Sequence, residues 1–292
     1  MFLRTDATLP PFYVLVYVDD LVFATADTEA LAHVKAQRTI TLTQSHMVQQ
    51  VLQRFGFTYS SPQSTPLPTN HSLSAPPSDE SVESSGPYPE LVGCLMYLMI
   101  CTRPDLAYPL SLLACYVAPG RHRKVHWDAV KRVLRYLCST SGMGLVLGGR
   151  ARVVLTGHAD ASWRSTRSSS VLSSNCEAEI YAGAMAAQEL RWLTYLLTDL
   201  GEVPRSPPVL YVDNKAMLAL CQEHRLEHRT KHIALRYFLT RELQQRGQLR
   251  LAYVASQANT ADVFTKALQP CDHQRFCTVL GLVPTVPHLL SS

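Results

Sequence analysis

Two groups of acidic residues have the composition of sites that bind divalent cations. Asp19 and Asp20 are adjacent and lie between two apolar, β-prone runs, which predicts a hairpin turn carrying both carboxylates. Crowding two carboxylates is costly unless a cation neutralises them, so such a turn can bind a divalent metal ion. An ordinary aspartate-rich hairpin turn explains the same dipeptide equally well.

The second acidic group is spread over the C-terminal half of the sequence. Asp160 and Asp213 each follow a predicted strand, Glu179 lies on a predicted helix, and Asp262 opens another helix. Four carboxylates at strand ends and helix starts are what a two-metal phosphodiesterase needs to hold two Mg²⁺ ions about 3.5–4 Å apart. Taken singly, each of the four is better explained as a helix cap or a solvated surface acid.

Basic residues are concentrated in two segments. Between Arg225 and Arg250 there are seven Lys or Arg residues and only two acids. A helix with this excess can contact phosphates along a duplex, and a solvated helix face is the alternative. Residues 121–135 form a second basic segment, in which Asp128 is the one acid.

A zinc site is the weaker interpretation of two histidines in the first basic segment. His228 and His232 are four residues apart, so they share one face of a predicted helix. No cysteine or carboxylate of suitable spacing completes a zinc site there. A polar helix is the simpler interpretation.

Composition places the chain among globular proteins with a substantial core. It has 292 residues, of which 47% are apolar and 17% charged, with a net charge of +4. This excludes the highly charged, core-poor class of disordered proteins, and a partner that is a polyanion is permitted but not required. The sequence contains no apolar run of about 20 residues, so no membrane span is expected.

Eight scattered cysteines without a Cys-x-x-Cys pair make a disulfide framework improbable. We expect reduced, buried thiols in an intracellular protein of the cytoplasm or nucleus, because the N-terminus also lacks the pattern of a secretory signal.

Hydrophobic periodicity and composition divide the chain into four parts. Residues 1–59 contain two strand-like runs and a helix near Ser45–Phe55, and residues 60–89 form a Ser/Pro-rich linker with little that can anchor a core. Residues 90–148 are a helical block, in which Val125–Cys138 has helical apolar spacing.

Residues 149–292 have an α/β pattern. The strands are predicted at Arg152–Gly157, Val209–Val212 and Arg250–Val254. The helices are predicted at Glu177–Leu200, Asn214–Gln222 and Thr230–Arg246.

The run Phe-Tyr-Val-Leu-Val-Tyr-Val-Asp-Asp-Leu-Val-Phe-Ala-Thr at residues 12–25 resembles the palm hairpin of reverse transcriptases of Ty1/copia-type retrotransposons. The resemblance continues collinearly through the family's connecting segment, in Leu-Val-Gly-Cys-Leu-Met-Tyr-Leu at 91–98 and Thr-Arg-Pro-Asp-Leu-Ala-Tyr at 102–108. The order of the four C-terminal acids resembles the ribonuclease H domain that follows the polymerase in this family.

The resemblance implies a fragment of a retrotransposon Pol polyprotein, with ancestral RNA-directed DNA polymerase and RNA–DNA hybrid ribonuclease activities. It implies an α/β fold made of an α+β palm remnant, a helical connection and a three-layer RNase H-like domain with a C-terminal helical tail. The implied cofactor is Mg²⁺ or Mn²⁺. The implied partners are an RNA–DNA hybrid or other nucleic acid and other retrotransposon proteins, with no membrane.

The resemblance also implies a role for each residue that matches a motif of the family. Asp160, Glu179, Asp213 and Asp262 match the metal-binding carboxylates of the ribonuclease H domain. Asp160 and Asp213 would hold the metals, Glu179 would hold one metal and the attacking water, and Asp262 would bind the second metal. Glu177 is the rival of Glu179, which the run Glu-Ile-Tyr-Ala favours.

Further site residues follow from the same resemblance. Asp19 and Asp20 would be the remnant of the polymerase metal site. The run Arg-Thr-Lys-His-Ile at 229–233 resembles a ribonuclease H motif and assigns nucleic-acid binding to Arg229, Lys231, His232 and Arg236.

The sequence also departs from the family pattern. Only 16 residues precede Tyr17, which leaves no room for the fingers and the first palm aspartate, so we expect no polymerase activity. Only 18 residues separate Asp160 from Glu179, where the family has two further strands. We therefore expect a shortened sheet with an unpaired edge. The alternative function is that of a catalytically dead relic that acts at most as a nucleic-acid-binding module.

Overall fold

The computed structural model of the chain describes residues 2–3, 12–17, 20–25, 39–71, 73, 86–148, 154–160, 175–199, 204, 206–222 and 239–285. Among residues 1–40, the described residues are described by their backbone alone. These residues form a mixed α/β fold with three small sheets, which confirms the predicted α/β class.

The chain begins with a small antiparallel sheet. Strands β1 (Phe2–Leu3), β2 (Phe12–Tyr17) and β3 (Asp20–Thr25) lie side by side in that order. Tyr17 is paired with Asp20, so β2 and β3 form the predicted hairpin. Such pairing suits these runs, because β-branched and aromatic residues favour strands. Strand β4 (Thr39–Leu42) follows and belongs to another sheet.

A helical bundle holds the largest apolar core. It consists of α1 (Ser45–Arg54), α2 (Tyr88–Cys101), α3 (Ala107–Leu113) and α4 (Lys124–Ser139). Helix α4 turns apolar residues inward at helical spacing, as the sequence predicts. The buried side chains of α2 and α4 include Leu91, Leu95, Leu98, Val130, Val133, Leu134 and Leu137.

Part of the predicted linker packs on this core. The sequence indicated that residues 60–89 contain little that can anchor a core, and the structure corrects this expectation. Leu67 and Leu73 are each only 2% exposed and belong to the core of the bundle. The Ser139 hydroxyl of α4 donates to the Gln63 carbonyl, and Arg132 donates to the Thr65 hydroxyl. Two leucines placed among prolines and serines are enough to fix an irregular segment, because each buried leucine contributes roughly 2 kcal/mol.

A buried ion pair ties the end of α2 to the end of α4. The Arg103 guanidinium donates to both oxygens of Asp105, at 3.0 and 2.8 Å, and to the backbone and hydroxyl oxygens of Thr140. The Tyr136 hydroxyl donates to Asp105 at 2.6 Å. Burial alone raises the pKa of Asp105, but Arg103 and the Tyr136 hydrogen bond lower it below its ordinary value. The guanidinium makes four hydrogen bonds and both Asp105 oxygens accept one, which offsets the cost of burying the charges.

Beyond the bundle come β5 (Met143–Gly148), β6 (Thr156–Ala159), the long helix α5 (Asn175–Asp199), β7 (Val209–Val212) and α6 (Lys215–Gln222). Residues 239–245 form α7, followed by β8 (Arg250–Tyr253), α8 (Asp262–Thr265), α9 (Pro270–Val279) and β9 (Leu282–Pro284). The predicted strand at Arg152–Gly157 is thus displaced to β6, whereas Val209–Val212 is a strand with the predicted bounds.

Strands β6, β7 and β8 form a parallel sheet in that order. Within the described part of the chain, β6 is an edge strand, since β7 is its one partner there. Residues 161–174, where the sequence indicates a lost hairpin, lie outside the described residues. Apolar residues of all three strands pack under α5, α6 and α7 in a second core.

The third sheet joins distant parts of the chain. Strand β5 pairs antiparallel with β4 on one side and with β9 on the other. Helix α9, which precedes β9, packs on the bundle, where the His273 ring makes an edge-on contact with Tyr136. The C-terminal segment formed by α9 and β9 is therefore attached to the helical bundle and to strand β5.

None of the helices in the described residues combines the length and the hydropathy needed to cross a bilayer. The described cysteines are free thiols. Cys221 and Cys277 are buried, as expected, but Cys115 and Cys271 are exposed, so the expectation of buried thiols is wrong for these two.

Asp105→Asn is expected to lower the free energy of unfolding by about 3–5 kcal/mol, because it leaves the Arg103 charge buried without its counter-ion. Urea denaturation followed by circular dichroism measures the change. Asp128→Asn is the matched control, since Asp128 pairs with Lys131 at the surface of α4 and should contribute less than about 1 kcal/mol. Equal, small losses in the two variants would contradict the structural role of the buried pair.

Candidate functional site

The parallel register of the sheet places two acids at the same edge. Ala159 at the end of β6 is paired with Val212 at the end of β7. Asp160 and Asp213 are the next residues along their strands. Since the carboxyl ends of parallel strands meet at one edge, the two side chains lie close together.

Small residues let α5 approach the sheet and bring a third acid to this edge. A Cβ at Gly157 would lie 2.8 Å from the Leu190 side chain of α5, so a larger residue here would displace that side chain. A Cβ at Gly183 would meet the Met217 side chain of α6. Buried Ile180 anchors the start of α5 in the core, and its neighbour Glu179 is half-buried.

Asp160, Glu179 and Asp213 form an acidic cluster at the carboxyl edge of the sheet. Each offers a carboxylate oxygen, and these three oxygens lie within 4.8 Å of one another. Asp160 is buried, and the other two acids are half-buried. Three carboxylates this close repel one another, and a divalent cation among them is the usual way to offset the repulsion.

The loop after β8 fixes the end of β6 from the other side. The Asn259 side chain, fully buried, donates to the Ala159 carbonyl at 3.0 Å and accepts a hydrogen bond from the Ala261 amide. The Thr265 hydroxyl donates to Asp160 Oδ2. These contacts hold Asp160 in one orientation, which an isolated strand end could not do.

Asp262, the fourth predicted ligand, lies beside the cluster. Its carboxylate is not among the three whose oxygens lie within 4.8 Å of one another. Lys266 contacts both Asp262 and Asp160, which belongs to the cluster. Lys266 Nζ is 2.8 Å from Asp262 Oδ1 and 3.6 Å from Asp160 Oδ2. Burial and the charges of Asp160 and Asp213 raise the pKa of Asp262 above its ordinary value, although Lys266 acts in the opposite direction.

The same charges shift the pKa of Lys266. Burial by itself lowers the pKa of Lys266, but the hydrogen bond to Asp262 and the carboxylates of Asp160 and Asp213 raise it above its ordinary value. Lys266 is therefore positively charged at neutral pH and offsets part of the negative charge of the site.

A stacked aromatic pair lies next to the cluster on the sheet. His158 and Tyr211 are register partners on β6 and β7, and their rings stack with centroids 5.0 Å apart. Each precedes a cluster aspartate by two residues, so it shares the face of that aspartate on its strand. Burial lowers the pKa of His158, which favours the neutral ring beside Tyr211.

The other predicted site residues are less fully described. Asp20 is the first residue of β3, and Asp19 lies outside the described residues. Glu177 lies on α5, whereas Glu179 supplies the third carboxylate of the cluster. Outside the described residues lie all the predicted nucleic-acid contacts and both candidate zinc ligands, namely Arg229, Lys231, His232, Arg236 and His228.

Sequence reasoning missed Asn259, Thr265 and Lys266 as parts of the site. The four-residue spacing of Asp262 and Lys266 was the available signal, because such a pair meets on one face of a helix. The contacts of Asn259 and Thr265 with residues 159 and 160 join segments about 100 positions apart, and no local pattern indicates them.

Comparison with known proteins gives relatives along most of the chain. The chain is 31% identical to the retrovirus-related Pol polyprotein from transposon RE2 of Arabidopsis thaliana, over an alignment that covers 94% of the chain and 22% of that protein. It is 33% identical to the corresponding polyprotein from transposon TNT 1-94 of Nicotiana tabacum, over 80% of the chain and 20% of that protein.

The Pol polyprotein from transposon RE1 of Arabidopsis thaliana is 29% identical, again over 94% of the chain. The chain thus spans about a fifth of the length of these relatives. The alignment with the RE2 protein has 324 positions, more than the 292 residues of the chain, so that relative carries internal positions that this chain lacks. No family model and no solved structure matches the chain.

Asn259→Ala is expected to lower the free energy of unfolding by about 1–3 kcal/mol, because it leaves the buried Ala159 carbonyl without its donor. Gln257→Ala, in the same loop but exposed, should change it by less than about 0.5 kcal/mol. Urea denaturation of both variants measures the difference. If the two variants are equally stable, Asn259 does not hold the end of β6.

Proposed function

Over most of its length the chain is homologous to the Pol polyproteins of Ty1/copia-type transposons and belongs to that family; from this premise we propose that it contains a ribonuclease H-type site. The proposed reaction is hydrolysis of the RNA strand of RNA–DNA hybrids. One observation carries the proposal: the oxygens of Asp160, Glu179 and Asp213 lie within 4.8 Å of one another at the carboxyl edge of a parallel sheet.

The donor atoms of this cluster fit a hard divalent cation. All three are carboxylate oxygens, the ligands that Mg²⁺ and Mn²⁺ prefer, and neither histidine nor cysteine is among them. When bound, such cations activate a water molecule and stabilise the leaving oxygen of a phosphodiester. The proposed cofactor is therefore Mg²⁺ or Mn²⁺.

The residues of the chain have distinct proposed roles. Asp160 and Asp213 follow paired strand ends, so they provide rigid ligands at a fixed separation. Glu179 reaches the site from a helix and would hold a cation and orient the attacking water. Asp262 would bind a second cation, and its Oδ1 lies 2.8 Å from the ammonium nitrogen of Lys266.

Polymerase activity is not proposed for this chain. Asp19 and Asp20 are the proposed remnant of a polymerase metal site, and Asp20 is the first residue of β3. Two adjacent aspartates do not by themselves make a polymerase site, because a polymerase must also clamp its template and bind both of its metals.

Nucleic-acid binding without cleavage is the second candidate function. A half-buried face of α4 combines basic and aromatic groups, with Lys131 Nζ 6.0 Å from the Trp127 ring centroid and the Arg135 guanidinium 5.9 Å from the ring centroid of Phe57, which follows α1. Basic side chains interleaved with aromatic rings suit a phosphate backbone and its bases. The short interval between Asp160 and Glu179 also favours this candidate, because lost strands would impair the catalytic geometry.

Mg²⁺-dependent cleavage of a labelled RNA–DNA hybrid by the purified full chain tests the proposal. Asp213→Asn should reduce cleavage about a hundredfold or more, because it removes one charged group from the site. Asp199→Asn is the matched control: it removes an exposed carboxylate at the end of α5 and should retain full activity.

The two candidate functions give different results in this assay. Cleavage that requires Mg²⁺ and is lost only in Asp213→Asn supports the ribonuclease. Salt-sensitive binding of the hybrid by the folded chain, with no cleavage, contradicts the ribonuclease and supports the binding module.

A further inference from the structure

Lys266 lies between two carboxylates of the candidate site. Its ammonium nitrogen is 2.8 Å from Asp262 Oδ1 and 3.6 Å from Asp160 Oδ2. The same Asp160 oxygen accepts the Thr265 hydrogen bond, so two neighbouring residues act on one atom. A cation that bridges Asp160 and Asp262 is therefore already present in the form of a side chain.

By the roles proposed above, Asp160 and Asp262 would both hold a divalent cation. Asp160 belongs to the acidic cluster, and Asp262 is joined to the cluster through Lys266. Two positive charges cannot share one pair of carboxylate oxygens without strong repulsion. A divalent cation that bridges Asp160 and Asp262 therefore has to replace the ammonium group.

The side chain of Lys266 is able to leave. It is 46% exposed, whereas the carboxylate of Asp160 is 7% exposed and that of Asp262 is 11% exposed. Its position at the end of α8 leaves a four-carbon stem free to swing toward solvent, and lysine pays little for exposing its charged head. The carboxylates are fixed by the fold, and the lysine is the mobile partner.

We propose that Lys266 is a positioning residue that acts as an internal counter-ion, bridging Asp160 and Asp262 until a divalent cation displaces it. This inference rests on the proposed metal site. Lys266 stabilises the crowded carboxylates without a metal ion and weakens binding of the second cation, because that cation has to compete with it. Asp262 becomes a metal ligand only after Lys266 has moved away.

The test compares Mn²⁺ binding and thermal stability in the full chain and three variants. Lys266→Met removes the charge and keeps the stem, and Lys266→Arg keeps the charge. Lys131→Met is the matched control, because Lys131 also pairs with an aspartate on its own helix, Asp128, but belongs to helix α4 of the bundle. Isothermal titration calorimetry measures Mn²⁺ affinity, and melting in EDTA or saturating Mn²⁺ measures stability.

Lys266→Met should melt about 3 °C lower than wild type in EDTA, since the carboxylates lose their counter-ion. It should bind Mn²⁺ about five- to tenfold more tightly, and saturating Mn²⁺ should close the gap in melting temperature. Lys266→Arg should resemble wild type in EDTA. Lys131→Met should show no difference that depends on Mn²⁺.

Two results would overturn the inference while the proposed metal site stands. One is that wild type binds Mn²⁺ and Lys266→Met binds it with the same affinity. The other is that Lys266→Met remains less stable by the same margin in Mn²⁺, or is unfolded in both conditions, which marks an ordinary structural ion pair. If neither wild type nor Lys266→Met binds Mn²⁺, the proposed site itself is wrong, and the inference fails with it.

Discussion

The site depends on the parallel register of three short strands. Because Ala159 is paired with Val212, the next residue on each strand is an aspartate at the same edge, and the fold has to accommodate like charges at close range. The surrounding contacts can be understood as responses to that crowding. Asn259 fixes the strand end, Thr265 orients Asp160, and Lys266 supplies a positive charge beside the cluster.

A second constraint holds the C-terminal half to the rest of the chain. The buried Arg103–Asp105 pair and Tyr136 order the ends of two bundle helices, and helix α9 packs against Tyr136 through His273. Strand β5 then lies between strands from the two ends of the chain. A parallel sheet of three described strands is small, and these attachments add buried contacts that such a sheet cannot supply alone.

The sequence predicts much of the fold and of the candidate site. The parts that it does not predict were missed for physical reasons that can be named. Strand β7 and helix α4 follow from local hydrophobic patterns, and the cluster acids follow from motif order. The burial of Leu67 and Leu73 was missed because a Ser/Pro-rich composition obscures two isolated core residues. Asp262 was grouped with the other acids, yet its nearest charged partner is Lys266, a relation set by tertiary packing.

The most direct test of the central claim is to locate Mn²⁺ on the chain by paramagnetic broadening of its amide NMR signals. The three acids are expected to form one cation site, so substoichiometric Mn²⁺ should first broaden the amides of Asp160, Glu179 and Asp213, and Asp213→Asn should abolish this pattern. Broadening that starts elsewhere, or that persists unchanged in Asp213→Asn, would contradict the account.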